Sequence, residues 1–238
     1  MHIKIAILIP YYNEEKNLYY FIKEWENFSN QNQELNKNLF FFFFDDGSTD
    51  NSTKTIKKNV KRIKYRIVRK KNSGHGDTCK FGYQYIVKRF QNFDYILQID
   101  SDNQCDPKYL LKFYDLIDKE KNPFIFGYRK VRKDGYLRFI NSRVMSFIFF
   151  LKKFLYIKDL NTPYRIMRIS ELKKVLKIIN TTKKYNNIML FNCLLSYVIQ
   201  KNNKIKWVNI IFRKRYFGTS KYNFSKMLSL FLNLIFKV

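Results

Sequence analysis

The chain has 238 residues, 46% of them hydrophobic, and carries 46 Lys and Arg against 19 Asp and Glu, a formal net charge of +27. The apolar content suffices for the core of a globular protein, while the charge points to anionic partners: nucleic acid, an anionic membrane surface or phosphate-rich substrates. No uninterrupted apolar run approaches the ~20 residues needed to cross a bilayer, and Cys79, Cys105 and Cys193 lack the number and spacing of a disulfide framework or a zinc site, which suits a reducing cytoplasm.

Residues 3–9 form an aliphatic and β-branched run that stops at Pro10, predicting a buried strand that opens into Tyr11, Tyr12, Asn13 and Glu14. Leu18, Phe21, Ile22 and Trp25 recur at helical spacing up to about Phe28, and residues 29–33 read as a polar connection. A second strand over residues 39–44 ends in Asp45-Asp46-Gly47-Ser48-Thr49-Asp50. Gly47 permits a tight turn there, and Asp50 and Ser52 suit the cap of a helix near 52–60; Asp45 and Asp46 are balanced between structural and ligand roles. A short third strand over 65–69 precedes Asn72-Ser73-Gly74-His75-Gly76 and a helix over 77–90. Two glycines before a helix can cradle a phosphate or sugar, but the spacing is neither that of a P-loop nor of a dinucleotide fingerprint. His75 is expected to be a loop histidine without chemistry.

The fourth strand, residues 95–99, ends in Asp100-Ser101-Asp102-Asn103-Gln104. Side chains two apart on an extended segment share a side, so Asp100, Asp102 and Gln104 would converge on one hard cation, Mg²⁺ or Mn²⁺. The competing reading is a solvated acidic turn before Pro107. A helix from Pro107 and a fifth strand over 124–126 complete an open α/β pattern, with polar residues gathered where ligands bind, at the carboxyl ends of the strands.

Arg129, Lys130, Arg132, Lys133 and Arg143 then alternate with apolar residues, and residues 147–156 add a greasy helix with Lys152 and Lys153. It suits either the core or a membrane interface. A polar loop over 159–165, a strand at 166–167, helices over 170–180 and 187–201 and a strand over 205–212 follow. Arg213, Lys214, Arg215 and Lys221 then surround Gly218 and Ser220 as a phosphate clamp. A short amphipathic helix, 224–238, ends the chain.

Taken in order, Ile9-Pro10-Tyr11-Tyr12-Asn13-Glu14, Asp45-Asp46-Gly47-Ser48-Thr49-Asp50, Asn72-Ser73-Gly74-His75-Gly76 and Asp100-Ser101-Asp102-Asn103-Gln104 resemble family 2 glycosyltransferases. Gly127-Tyr128-Arg129, Arg143, Asp159 with Tyr164-Arg165, and Arg215 with Gly218, Ser220 and Lys221 resemble the branch typified by dolichyl-phosphate mannose synthase and bacterial polyprenyl-phosphate glycosyltransferases. Pro163 departs from that branch, which has a small residue at this position.

The resemblance implies a GT-A, Rossmann-like α/β fold with a mostly parallel central sheet flanked by helices and with C-terminal amphipathic helices. It implies one domain, with residues 1–128 as the nucleotide-sugar half and 129–238 as the acceptor half with membrane-associating helices. Pro10, Tyr12, Glu14 and Asp46 would hold the base and ribose of a UDP- or GDP-linked sugar, and Asp100, Asp102 and Gln104 the Mg²⁺ or Mn²⁺. Arg215 and Lys221 would sit at the donor diphosphate; Arg129, Arg143 and Ser146 would take the phosphate of a polyprenyl acceptor. Asp102, Asp159 and Arg129 are the catalytic candidates, Asp159 as the base needed if the acceptor is instead a hydroxyl of a surface polysaccharide or lipid-linked oligosaccharide. The expected location is the cytoplasmic face of a membrane, attached peripherally to an anionic surface. Nucleic-acid binding would explain the charge but not the acidic strand ends.

Overall fold

A computed structural model describes residues 3–186, 188–218 and 224–238. Strands β1 (Ile5–Tyr11), β2 (Leu39–Asp45), β3 (Tyr65–Arg69) and β4 (Tyr95–Gln98) pair in parallel. They are linked by helices α1 (Glu15–Gln31), α2 (Gln33–Asn36), α3 (Ser52–Asn59) and α4 (His75–Arg89). Next come α5 (Tyr109–Glu120), β5 (Phe124–Arg132), α6 (Tyr136–Lys153), β6 (Arg165–Arg168) and α7 (Ile169–Thr181), and last α8 (Phe191–Asn202), β7 (Lys206–Phe212) and α9 (Phe224–Lys237). One seven-stranded sheet runs β3-β2-β1-β4-β6-β5-β7, with β6 antiparallel to both of its neighbours.

The sheet is covered on both faces, which is why β1 and β2 read as unbroken apolar runs. Alternation sorts their side chains. Ile5, Ile7, Ile9, Phe41 and Phe43 pack under α1, α3 and α5, where Phe41 meets the Trp25 ring at 5.1 Å. Ala6, Leu8, Phe42 and Phe44 pack on the other side against α4, α7 and α8, where Phe42 meets Phe90 at 4.9 Å. Phe41 to Phe44 are fully buried, and at about 1.5–3 kcal/mol for each phenyl they make β2 the anchor of both layers. Helix α4 comes so near the sheet that a Cβ on Gly82 would lie 2.9 Å from Leu8 Cδ1 and 3.0 Å from Phe44.

Several boundaries differ from those expected. Residues 29–33 are mostly helical, because α1 continues to Gln31 and α2 begins at Gln33. Arg129 and Arg132 lie on β5, which runs six residues past Phe126 by pairing with β7, so the 128/129 division falls inside a strand. The backbone cannot show its strand direction in sequence, and the reversal at β6 was accordingly not foreseen. Among the described residues no helix is long and apolar enough to cross a membrane.

Pro10 marks where the site forms. Leu8 O accepts from Ile99 N at 3.1 Å on the β4 side of β1, and the β1/β4 ladder ends at the Leu8 and Gln98 pair. Two residues further on, Pro10 faces the same side, where a missing N–H costs nothing because β4 has turned away. β1 is also where the sheet order reverses, with β2 on one side and β4 on the other. In open α/β sheets the crevice at such a point is the ligand site.

Candidate active site

The exit of β1 is zipped to the exit of β2. Asn13, at φ 52°, accepts from Thr49 N at 2.8 Å, Ser48 Oγ accepts from Asn13 N at 3.1 Å and Ser52 Oγ accepts from Glu14 N at 2.8 Å. Pro10 is buried at the head of this loop and Tyr12 is half-buried beside it. Asp45, fully buried, accepts from Ser48 N at 2.7 Å and closes the β2 turn from within.

Asp46 was expected at the donor nucleotide. Its carboxylate instead gathers the loop after β3, taking Lys70 Nζ at 2.5 Å, Ser73 N at 2.9 Å and Gly74 N at 2.8 Å. Burial would raise its pKa, but Lys70 and the two amides outweigh burial and lower it. Asp46 therefore acts first on loop shape, holding residues 73–76 over the cleft. Behind that loop α4 begins at His75, whose Nε2 is 3.6 Å from Asp100 Oδ1 and 3.3 Å from Asn192 Nδ2. His75 was expected to be a loop histidine without chemistry and instead opens α4, and Asn192, from α8, had no local signal at all.

Asp100 and Asp102 do converge, though not by alternation along a strand. β4 stops at Gln98, and the segment beyond it turns, with Asn103 at φ 60°. Asp100 Oδ1 is buried without a hydrogen-bond partner. Asp102 is pushed up to about 7, by burial first and then by the charge of Asp100, with Arg215 opposing. The same negative field raises His75 to about 10 against the downward pull of burial, through Cys79, Asp100 and Asp102. Two neighbouring carboxylates, one of them pushed up by burial and by the charge of the other, suit a divalent cation.

Gln104 is differently employed. Its Nε2 donates to Arg213 O at 2.7 Å and its carbonyl accepts from Arg213 N at 2.9 Å, so it fastens the exit of β7. Of the three residues expected at a metal, Gln104 is thus held by Arg213, and no group of three His, Cys, Asp or Glu among the described residues is arranged to hold an ion.

The cationic loop after β7 is largely spent on ion pairs with the site. Arg213 reaches Glu24 of α1 at 2.7 Å and Asp106 at 2.5 Å. Arg215 pairs with Glu14 Oε1, while Asn17 donates to Glu14 Oε2 at 2.7 Å. Phe217 exchanges backbone hydrogen bonds with the Asn17 side chain at 3.1 and 3.2 Å and stacks on Tyr20 at 5.7 Å. This strap places Arg215 between Glu14 and Asp102. Ser220 and Lys221, expected in the clamp, lie outside the described residues.

On the other half, Arg129 and Asp159 form a buried bidentate pair: Nε to Oδ2 at 2.7 Å and Nη2 to Oδ1 at 2.7 Å, with Arg129 Nη2 also donating to Asn161 O at 2.9 Å. Burial alone would raise the Asp159 carboxyl, but Arg129 holds it below the usual carboxylate range. Asp159, named as the base for a hydroxyl acceptor, is thus in a buried ion pair, and a carboxylate so stabilised is a poor proton acceptor. Arg143 stacks over the Tyr128 ring at 4.5 Å and donates to Arg129 O at 2.7 Å. Ser146, one turn along α6, has a buried hydroxyl without a partner. Arg143 and Ser146 share a helix, and Arg129 supports Arg143 from β5.

With this geometry in view, one family profile matches most of the chain. The sequence profile of Glycosyl transferase family 2 matches residues 6–177. The uncharacterized protein MJ0544 of Methanocaldococcus jannaschii is 26% identical over 175 residues, 70% of this chain and 72% of that one. Among solved structures, S. aureus TarS in complex with UDP-GlcNAc superposes with a TM-score of 0.65 at 17% identity, over 98% of this chain and 65% of that one. Glucosyl-3-phosphoglycerate synthase from Mycobacterium tuberculosis in complex with phosphoglyceric acid gives 0.63 at 13% identity, over 98% of this chain and 79% of that one. These structures share the α/β architecture, and the profile spans the sheet from β1 into α7: the chain belongs to glycosyl transferase family 2.

Proposed function

We propose that this glycosyltransferase moves a sugar from a nucleotide sugar to a polyprenyl phosphate, with inversion at the anomeric carbon. The observation that carries the acceptor is the state of Asp159. A hydroxyl acceptor needs a base to take its proton, and the carboxylate expected to do so is locked in a buried ion pair. A phosphate acceptor is already ionised at neutral pH and needs only placement.

Arg143, steadied by the Arg129 carbonyl and the Tyr128 ring, takes the acceptor phosphate, with the Ser146 hydroxyl as a second donor. Arg129, neutralised by Asp159, positions it. An acceptor phosphate oxygen forms the new bond to the anomeric carbon as the bond to the donor diphosphate breaks, and the nucleoside diphosphate leaves. Tyr12, Pro10 and Glu14 line the nucleotide end, and Arg215 supplies positive charge to the leaving diphosphate. Asp100 and Asp102 would hold Mg²⁺ or Mn²⁺, which supplies further charge neutralisation on the leaving group. Binding of UDP-sugars by similar folds supports this donor class: one structure of the glucosyl-3-phosphoglycerate synthase contains Mn²⁺ and UDP-glucose, with a TM-score of 0.60.

Arg215→Ala is expected to raise the donor KM by about tenfold or more, since charged hydrogen bonds contribute ~1.5–3 kcal/mol. The acceptor KM should stay unchanged, and steady-state kinetics showing equal effects on both would remove Arg215 from the donor diphosphate. The function itself is tested with radiolabelled nucleotide sugars and polyprenyl phosphate. The expected product carries label on the lipid, is cleaved by mild acid and survives mild base. Label found only on a glycan or phosphoglycerate hydroxyl would overturn the acceptor assignment.

A further inference from the structure

Helix α6 leaves an apolar stripe in solvent. Tyr136, Ile140, Val144, Phe147 and Leu151 follow at intervals of four or three, and with Phe154, just past the end of the helix, are 37–87% exposed. Such spacing keeps them on one narrow arc of the helix. The opposite face carries Phe149, which is buried and meets Tyr197 at 5.5 Å and Phe231 of α9 at 6.5 Å, so α6 is held to the core by its other side. α9 repeats the pattern: Phe231 and Leu234 are buried while Leu228, Leu232 and Phe236 are exposed, Phe236 by 79%.

The ends of the two helices meet over the turn at residues 183–186. Lys184 Nζ donates to Val238 O at 3.1 Å and Lys237 Nζ to Asn186 O at 3.5 Å. Lys153 lies near enough to Lys184, Lys152 and Lys201 for their charges, after its own partial burial, to lower its pKa. Phe154, Tyr156 and Phe236 stand out beside this cluster, 58–87% exposed. From Gly135 to the last residue the chain has 21 Lys and Arg and only two acids, Asp159 and Glu171. Asp159 is buried against Arg129, and Glu171 is paired with Lys174. The positive field therefore belongs to the half of the molecule that exposes the apolar stripe.

These features select among occupants. A second copy docked symmetrically on α6 would set two strongly basic faces against each other, at a repulsive cost. A nucleic acid would use the lysines but leave an aliphatic stripe with nothing apolar to cover it. A bilayer with anionic headgroups satisfies both, taking the apolar side chains below the headgroups and the ammoniums among them. We propose that the outer face of α6, with the exposed end of α9 and the cluster of Lys152, Lys153, Lys184 and Lys201, is a docking surface for an anionic phospholipid bilayer. The surface deepens the lipid-phosphate reading and rests on it for its purpose, because Arg143 lies on the same helix between Ile140 and Val144.

Sedimentation of the full chain with vesicles tests this. Binding is expected to equimolar phosphatidylcholine and phosphatidylglycerol, and to be at least about tenfold weaker for phosphatidylcholine alone. Phe147→Ser with Leu151→Ser, and separately Lys152→Glu with Lys153→Glu, should each lower binding to the mixed vesicles by about tenfold or more. Both variants should retain the parent Tm and transfer to a short, water-soluble prenyl phosphate. Failure to bind the mixed vesicles, binding unaffected by both variants, or a dimer that Phe147→Ser with Leu151→Ser turns into monomer would each overturn the surface. Transfer to the soluble acceptor without vesicle binding overturns the surface and keeps the acceptor assignment. Vesicle binding lost in both variants, without transfer to any prenyl phosphate, supports the surface and removes that assignment.

Discussion

Asp102→Asn is expected to abolish transfer, with kcat falling by about 10³-fold or more, and yet to leave the protein at least as stable as the parent. The two effects have one cause. Asp102 sits beside Asp100, and burial and that neighbouring charge push its carboxyl up to about 7. Removing one of two like charges relieves the folded protein of repulsion, but also removes half of the pair that a divalent cation would need. The magnitude on kcat follows the roughly 10²–10³-fold cost of losing a single preorganised electrostatic contact, with a metal ligand at or beyond the upper end. Thermal unfolding with and without Mn²⁺ supplies a readout independent of turnover. The parent should gain Tm with Mn²⁺ and the variant should not. A variant that keeps its activity, or that still gains Tm with Mn²⁺, would remove Asp102 from the metal site.

Asp159→Asn should have the opposite character, a large loss of stability. The side chains of Arg129 and Asp159 are 9% and 3% exposed and joined by two charged hydrogen bonds of 2.7 Å. Breaking a buried pair from one side strands the other charge, at about 3–5 kcal/mol. For a chain of this size that corresponds to a fall in Tm of roughly 6–20 °C. The pH dependence has a definite sign. A carboxyl held below its unfolded value contributes stability that is complete above the unfolded pKa of ~3.9 and is lost as pH falls through the folded value. The parent should therefore lose stability steeply in that acid range, and Asp159→Asn should lack that part of the slope. Replacing both partners, Arg129→Met with Asp159→Leu, should recover most of the Tm because no buried charge is left alone. Arg143 should keep its place in this variant, because its hydrogen bond goes to the backbone carbonyl of residue 129, which the substitution leaves in position. If the double variant melts as low as the single one, the pair is not the source of the stability.

These two carboxylates differ in how far along the chain their surroundings extend. Asp102 was identifiable because its surroundings are local: an apolar run, then acids, at the end of a strand. Asp159 was also singled out, but its ion pair with Arg129 was not legible. Its partner is 30 residues away on another element, and nothing nearby in sequence announces that the carboxylate is already taken. The cations after β7 repeat the lesson. Four of them in one loop read as a free phosphate clamp, yet Arg213 is committed to Glu24 and Asp106, and Arg215 meets Glu14 across 201 positions. Gln104 was chosen by spacing and turned out to be a tether for Arg213.

What the sequence determined by itself is whatever depends on neighbours along the chain. The phenylalanine strand follows from its own unbroken apolar run, and the turn at Asp45 to Asp50 from its own Gly, Ser and Asp. The ordered series of acidic strand ends was enough to suggest the family and its α/β sheet. The tertiary structure alone decided the antiparallel β6, the tether of Gln104 to Arg213, the placement of His75 beside Asp100 and of Asn192 beside His75, and which face of α6 remains uncovered. Each of these rests on the meeting of groups distant in sequence, where burial strengthens every charge interaction and one partner changes what the other can do. The greasy helix after β5 suited core or membrane equally as a string of residues. Only its packing through Phe149 showed that Phe147, Leu151 and Phe154 are left facing outward.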